Sequence, residues 1–220
     1  MHFIELMEQL QRRCIRMAGM AQKAVATASL AVRSLDLSLA EQVFEGEKVI
    51  DAEEVEIERQ AISLLLLHHP AATDFRVVFG IVKINADLER IGDCAVNIAQ
   101  QVGRLVQAGR DGGVPRDVRL IAEATMAQVE DMLRCVAAHD SDLADRIRKA
   151  DDVVDALNGQ ILQETQANMQ RDPSEVPEGL ALIMIAKNYE RIGDHCVNIA
   201  EDVVFLMRGE IVRHTHEQHV

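Results

Sequence analysis

An internal repeat is the feature that most constrains the fold of this chain. The segment ERIGDCAVNIAQQV at 89–102 and the segment ERIGDHCVNIAEDV at 190–203 agree at ten of fourteen positions, 101 residues apart. A stripe of apolar residues spaced by seven also recurs. Val43, Ile50 and Ile57 in the first half correspond to Ile147, Val154 and Ile161 in the second, 104 residues later. Recurrence at a nearly constant distance indicates a duplicated structural unit. The three-residue difference lies between the two matches, where connecting segments tolerate a change of length.

Apolar residues recur with the period of an α-helix through almost the whole chain. Six helices are predicted, at about 3–35, 38–69, 72–108, 116–138, 141–169 and 177–208. Ser38 and Glu41 are predicted to form a capping box that opens the second helix, and Asp140 or Ser141 is predicted to cap the fifth.

The segment GRDGGVP at 109–115 breaks the helical pattern in the middle of the chain. The sequence therefore predicts an all-α fold of two tandem antiparallel three-helix bundles. The first bundle is predicted at 1–110, the second at 114–208, and a flexible tail at 209–220.

Composition excludes several classes of protein. A formal net charge of −13 argues against a nucleic-acid binder, because contact with phosphates needs a basic face. The four cysteines form no CxxC pair, which fits a reduced cytoplasmic interior. The N-terminus lacks the pattern of a signal peptide, and apolar runs such as LALIMIA are too short to cross a bilayer. A cytoplasmic protein with no direct membrane span is expected.

The repeated segment carries acids in helical register. Glu89, Asp93 and Asn97 are spaced by four residues and form one oxygen-bearing stripe of a helix. Glu190, Asp194 and Asn198 repeat it in the second half. The residues on the opposite side of the first helix are apolar, namely Ile91, Ala95, Ile98 and Val102. The stripe is therefore predicted to face outward from the bundle core.

A second set of acids lies on the preceding helix of each half, as Glu47 with Asp51 and as Asp151 with Asp155. Like charges four residues apart destabilise a helix by a few tenths of a kcal/mol, so their recurrence calls for a reason. Counting outward from the turns near residues 71 and 172 pairs the two sets across antiparallel helices. The predicted pairs are Asp51 with Glu89, Glu47 with Asp93, Asp155 with Glu190, and Asp151 with Asp194.

Four carboxylates at one level repel one another unless a cation lies among them. Ligands that are all oxygen suit Mg, Ca, Mn or Fe, whereas no Cys/His set is spaced for zinc. The Glu-x-x-His motif of di-iron bundles is absent. The alternative is a solvated acidic face in which Arg90 and Arg191 neutralise their neighbours. Gly92 and Gly193, which are costly inside a helix, predict a close helix crossing or backbone room beside the site.

The segments NADLERIGDCAVNIA, KNYERIGDHCVNIAED and HHPAATDFR resemble those of the PhoU family of phosphate-signalling regulators, and the likeness covers nearly the whole chain. The resemblance implies two tandem three-helix bundles that carry divalent or trivalent metal ions (Mg, Mn or Fe) on their faces. It implies Glu47, Asp51, Glu89, Asp93, Asp151, Asp155, Glu190 and Asp194 as ligands, supplemented by Asn97, Asn198 and Asp202. At corresponding positions of the repeat, the first half has Cys94 and Gln101 where the second half has His195 and Asp202. The two clusters are therefore not expected to be equal in composition.

The resemblance also implies a non-enzymatic role that restrains phosphate uptake and the phosphate-starvation response. The implied partners are the ATPase subunit of the phosphate ABC transporter and a phosphate-sensing histidine kinase, and a homodimer stays open. Two alternatives remain at this point. One is a metal-dependent enzyme, a phosphohydrolase or an oxidase built on the carboxylates, and the other is a helical adaptor without metal.

Overall fold

The computed structural model describes residues 3–110, 112–138 and 140–209, and over these residues it is built of helices without strands. The six α-helices are α1 (Phe3–Ser34), α2 (Leu37–His68), α3 (Ala72–Gln107), α4 (Arg116–Ala138), α5 (Ser141–Arg171) and α6 (Val176–Arg208). A short 3-10 turn at Pro173–Glu175 precedes α6. The predicted all-α class is confirmed, and the predicted helix ends lie within two residues of those observed.

The predicted capping box of α2 is wrong. Asp36 is the N-cap, in an extended conformation, and its carboxylate accepts hydrogen bonds from the backbone N–H groups of Ser38 and Leu39. Asp and Ser are equally good N-caps, and Asp36 begins the helix two residues earlier than Ser38 would. At α5 one of the two predicted caps is observed, because Asp140 accepts from the N–H of Asp142.

The two halves fold alike. Every buried residue of α4 has a buried counterpart 104 residues earlier in α1, from Val118 and Cys14 to Val136 and Val32. In each half the first helix contacts the second and the third, and the second contacts the third. This arrangement is the predicted pair of three-helix bundles, α1–α3 and α4–α6.

The two bundles share one hydrophobic core, because α3 packs along α6 and α1 contacts α4. The division at 110–114 falls in the connection between α3 and α4, and the independence of the two bundles stays a prediction. The predicted tail lies, from residue 210 onward, outside the described residues. Within the described parts, no helix has an apolar stretch long enough to cross a membrane.

Polar contacts between α3 and α6 differ on the two sides of this central helix pair. On one side Lys83 forms an ion pair with Asp202, whose side chain is 1% exposed. The shift of 101 residues that relates the two helices places Met184 and Gln101 at the corresponding positions. A charged contact on one side therefore corresponds to two neutral residues on the other.

A second contact between α3 and α6 shows the same contrast. Nδ1 of His195 lies 2.8 Å from Oδ1 of Asp87. The corresponding residues of the other side are Cys94 and Asn188, both buried and neutral. The sequence predicts only that His195 makes the two halves unequal at this position, and the structure gives it a partner on α3.

Candidate metal centre

The first acid group lies in the groove between α2 and α3. Burial raises the pKa of Glu47, and the charges of Asp51 and Asp93 raise it further. Burial also raises the pKa of Glu89, with further contributions from Asp93 and Asp51. The charge of Asp93 on α3 therefore acts on Glu47 of α2, and the charge of Asp51 on α2 acts on Glu89 of α3. These are the cross-helix pairs that counting from the turn predicts.

Sequence inspection missed Glu54 as a member of this first group. Its pKa is raised by burial and by the charges of Glu58 and Asp51, with a smaller contribution from Asp93. The signal was available, because Glu54 follows Asp51 by three residues and so lies on the same face of α2.

Arg90 partly neutralises the first group, which is the alternative to a bound cation that the sequence leaves open. Nη1 of Arg90 lies 3.2 Å from Oδ2 of Asp93, and its Nε lies 3.4 Å from Oε2 of Glu89. More than half of the Arg90 side chain is exposed, so these contacts are screened by water and are weak.

The second acid group lies between α5 and α6. Burial raises the pKa of Asp151 to about 6, against a hydrogen bond from Gln128 that lowers it, and Asp155 and Asp194 raise it further. Burial and the charge of Glu190 raise the pKa of Asp155. The pairs Asp151 with Asp194 and Asp155 with Glu190 are again those that the counting predicts.

Gln128 of α4 is part of the second group and was missed by sequence inspection. Its Nε2 donates to Oδ1 of Asp151 at 3.1 Å and to the carbonyl of Ile147 at 3.1 Å. No sequence motif predicts this role, because the position of a single Gln on an amphipathic helix does not show whether it faces water or the core.

The glycines of the repeated motif lie where their hydrogen is needed. A Cβ on Gly193 would lie 2.5 Å from Oδ1 of Asp151, and a Cβ on Gly92 would lie 3.2 Å from Cδ1 of Ile50. The second half thus uses Gly193 to leave room beside the acids, and the first half uses Gly92 for a close approach of α2. Both explanations predicted from the sequence occur, one in each half.

The three supplementary oxygen residues are placed differently from the acids. Asn97 is half-buried one turn beyond Asp93. Asn198 donates to Oδ1 of Asp87 at 3.4 Å, and Asp202 pairs with Lys83, so both are directed toward α3. Residues spaced by four drift about 40° around a helix per step, which carries the stripe of α6 from the α5 groove to the α3 interface.

The acids are less exposed than the predicted outward stripe requires. The Glu190 side chain is 15% exposed and that of Glu89 is 19% exposed, while Asp51, Asp155 and Asp194 are exposed. The neighbouring helix covers one edge of each stripe. Glu89 and Glu190 lie outside the hydrophobic core and are the most covered acids of their stripes.

The donor set fits a hard cation, although the side chains are not gathered around one point. In residues 3–110, 112–138 and 140–209 no three His, Cys, Asp or Glu side chains converge as ligands of one ion would. Two buried acceptors of the second group, Oε1 of Gln128 and Oε2 of Glu190, have no hydrogen-bond partner. Clustered carboxylates with unpaired acceptors suit Mg, Mn or Fe ions, and a bound ion would have to draw them together.

In metal-free buffer the chain is expected to be more stable near pH 5 than near pH 7. The pKa of Asp151 is about 6 in the folded chain against an ordinary value of 3.8, so the folded state binds the proton more tightly. Its contribution to stability is complete below the unfolded value and is lost as the pH rises through about 6. Urea unfolding at the two pH values measures the difference.

Asp151→Asn is the matched control for this pH dependence, because its amide oxygen still accepts from Gln128. The variant should flatten the change between about pH 5 and pH 7. Acids with a lowered pKa, such as Glu56 with a pKa of about 2, change the stability of the chain only at pH values below this range. The same slope in the variant and the wild type would contradict the assignment to Asp151.

Comparison with known proteins matches both halves of the chain to the same family. A sequence model of the PhoU domain matches residues 14–102 and again residues 118–203. The chain belongs to the PhoU family. The two matched ranges fall on α1–α3 and α4–α6, and together they contain all eight predicted acidic ligands. The resemblance seen in the sequence is thereby confirmed.

Relatives in the PhoU family match over most of their length. Proteins named "Phosphate-specific transport system accessory protein PhoU homolog" include one from Aquifex aeolicus (strain VF5), which is 35% identical over 217 residues, 98% of this chain and 97% of its own. Another, from Pseudomonas putida, is 36% identical over 211 residues, 94% of this chain and 81% of its own.

Solved PhoU structures share the fold. The crystal structure of PhoU from Pseudomonas aeruginosa matches with a TM-score of 0.91 and 33% identity, over 95% of this chain and all of that one. The phosphate transport system regulatory protein PhoU from Streptococcus pneumoniae matches with a TM-score of 0.86 and 25% identity, over 96% and 99% of the two chains. The PhoU fold of six helices in two bundles therefore describes this chain.

Proposed function

We propose that the chain is a negative regulator of phosphate uptake and of the phosphate-starvation response. It acts as a metal-binding, non-enzymatic adaptor in the cytoplasm, between the ATPase subunit of the phosphate ABC transporter and a phosphate-sensing histidine kinase. Membership of the PhoU family carries the proposal, because full-length relatives are named as accessory proteins of phosphate-specific transport.

The two acid groups supply the metal-binding part of the proposal. Acids of α2 and α3 hold one cation, and acids of α5 and α6 hold the other. A bound ion supplies positive charge that cancels the repulsion among carboxylates and joins the two helices of each groove. Arg90 offsets part of the charge in the first group, while Gln128 holds Asp151 in place in the second.

The net charge of −13 supports the partner part of the proposal. A strongly acidic chain is steered toward basic surfaces and raises the association rate with them at low ionic strength. Binding to the purified ATPase subunit and to the cytoplasmic part of the kinase should therefore weaken as salt rises.

Deletion of the gene tests the regulatory role. In phosphate-rich medium the deletion strain should keep its phosphate-starvation genes active, and its phosphate uptake should run unchecked. A starvation-gene reporter and the uptake of labelled phosphate measure the two effects. The control is the deletion strain complemented with the wild-type gene. Reporter and uptake levels that equal those of the parent strain would contradict the proposed function.

A further inference from the structure

Gln128 is a polar side chain inside the core of the second bundle. It is 1% exposed, and its Nε2 faces three acceptors: Oδ1 of Asp151, the carbonyl of Ile147 and, at 3.4 Å, the carbonyl of Gly193. Because all three partners are acceptors, the amide nitrogen must face them and the orientation of the side chain is fixed. One side chain of α4 thus links the two helices that carry the second acid group.

The first bundle has no such link at the corresponding position. The shift of 104 residues that relates α4 to α1 places Ala24 opposite Gln128, and Ala24 is itself buried at 8% exposure. A methyl group can neither donate a hydrogen bond nor reach an acid of α2. At this position, α4 therefore donates hydrogen bonds to the helices of the second acid group, whereas α1 offers only a methyl group to those of the first.

The second group also contains buried acceptors without a partner, and Oδ1 of Asn85 is another, beside Glu54 in the first half. Oε1 of Gln128 has no partner and lies 3.0 Å from the position that a Cβ on Gly193 would occupy, beside Asp151. Among the eight predicted acidic ligands, all of which lie in the described residues, Glu190 is the one with a buried oxygen that lacks a partner, Oε2, while its Oε1 pairs with Lys187. Buried acceptors without donors are costly, and a cation or its bound water satisfies them.

We propose that Gln128 is a positioning residue that makes the second acid group the tighter of two divalent-cation sites. The amide nitrogen holds Asp151 toward α6, and the amide oxygen offers a neutral, buried acceptor to the ion or to its water. The inference rests on the proposed function in one respect, namely that the acid groups bind cations. Residues that orient metal ligands change affinity by about 10- to 100-fold when they are replaced.

Titration with Mn²⁺, followed by the electron paramagnetic resonance signal of the free ion, tests the proposal on the full chain. Asp93→Asn weakens the first group and leaves the second to be measured, whereas Asp194→Asn does the reverse. The Kd of the second group should be lower by about tenfold or more. Adding Gln128→Met to the Asp93→Asn chain should raise its Kd by about tenfold or more, and adding it to the Asp194→Asn chain should change nothing.

Gln128→Met keeps the volume of the side chain and removes both polar atoms, so a role limited to packing should leave the Mn²⁺ affinity unchanged. The metal-free melting temperature provides the control for folding. Gln128→Ala, which gives α4 the residue found at its counterpart in α1, serves as the second variant. A loss of affinity confined to the second group in both variants supports the proposal.

Equal Kd values for the two groups, or an unchanged Kd in both Gln128 variants, would overturn the inference and leave the proposed function standing. Failure of the wild-type chain to bind Mn²⁺ would overturn both the inference and the metal-binding part of the proposed function. The two failures are thus distinguishable in the same titration.

Discussion

Replacing Asp93 and Asp194 together by Asn should abolish the rise in melting temperature that Mn²⁺ gives the wild-type chain. Binding to the folded state alone stabilises it by about 2.7 kcal/mol per site when the free ion exceeds Kd a hundredfold. In a chain of this size each kcal/mol shifts the melting temperature by about 2–4 °C. The wild type should therefore gain roughly 5–10 °C from one filled site, and the double variant should gain little.

With chelator the sign reverses, because each substitution removes one negative charge from a repelling group. Asp93 raises the pKa of Glu47 and Glu89, and Asp194 raises that of Asp151. The metal-free double variant should therefore melt slightly above the wild type. Glu123→Gln with Glu130→Gln is the matched control, since it changes the net charge equally at exposed positions of α4. Equal Mn²⁺ shifts in the wild type and the double variant would favour a solvated acidic face instead.

Lys83→Met should destabilise the chain by about 2 kcal/mol, because it removes a charged hydrogen-bond donor from a carboxylate that is almost fully buried. The Asp202 carboxylate is 1% exposed, and 26% of the Lys83 side chain is exposed. The Lys83 ammonium also lies 5.3 Å from the centre of the Phe205 ring. Met retains apolar contact with that ring, so the loss should come mainly from charge. Urea unfolding at neutral pH measures it.

The repeat supplies the control for this experiment. The corresponding positions of the other side carry Met184 and Gln101, a neutral pair. Adding Asp202→Asn to Lys83→Met should restore part of the lost stability, since the buried carboxylate charge is then gone as well. Equal stability of the single and double variants would mean that the ion pair does not hold α3 against α6.

The helices were predictable from sequence because period, caps and breakers all act locally. The error at Ser38 was also local, since Asp36 caps the helix two residues before Ser38 could. The packing of α3 against α6 was not predictable in this way. The apolar stripe of α3 shows that it is buried, but nothing in the stripe says which helix covers it.

The acid groups were predictable to the extent that they depend on register. Counting from a turn gives the level of each residue on antiparallel helices, so it found Asp151 opposite Asp194 without knowledge of the fold. It gave no information about a third helix, and Gln128 was therefore missed. It also could not show that the stripe of α6 drifts toward α3, where Asp202 meets Lys83.

Covalent fusion of the two halves has a consequence for what each half can become. In a dimer of identical subunits, every contact across the axis occurs twice, because residue i meets j and j meets i. Here the connection between α3 and α4 makes the halves separately mutable and keeps them together at any dilution, through a high effective concentration. The Lys83–Asp202 pair can therefore exist on one side only. Fusion thus permits a division of labour between two sites that a symmetric assembly would be obliged to keep identical.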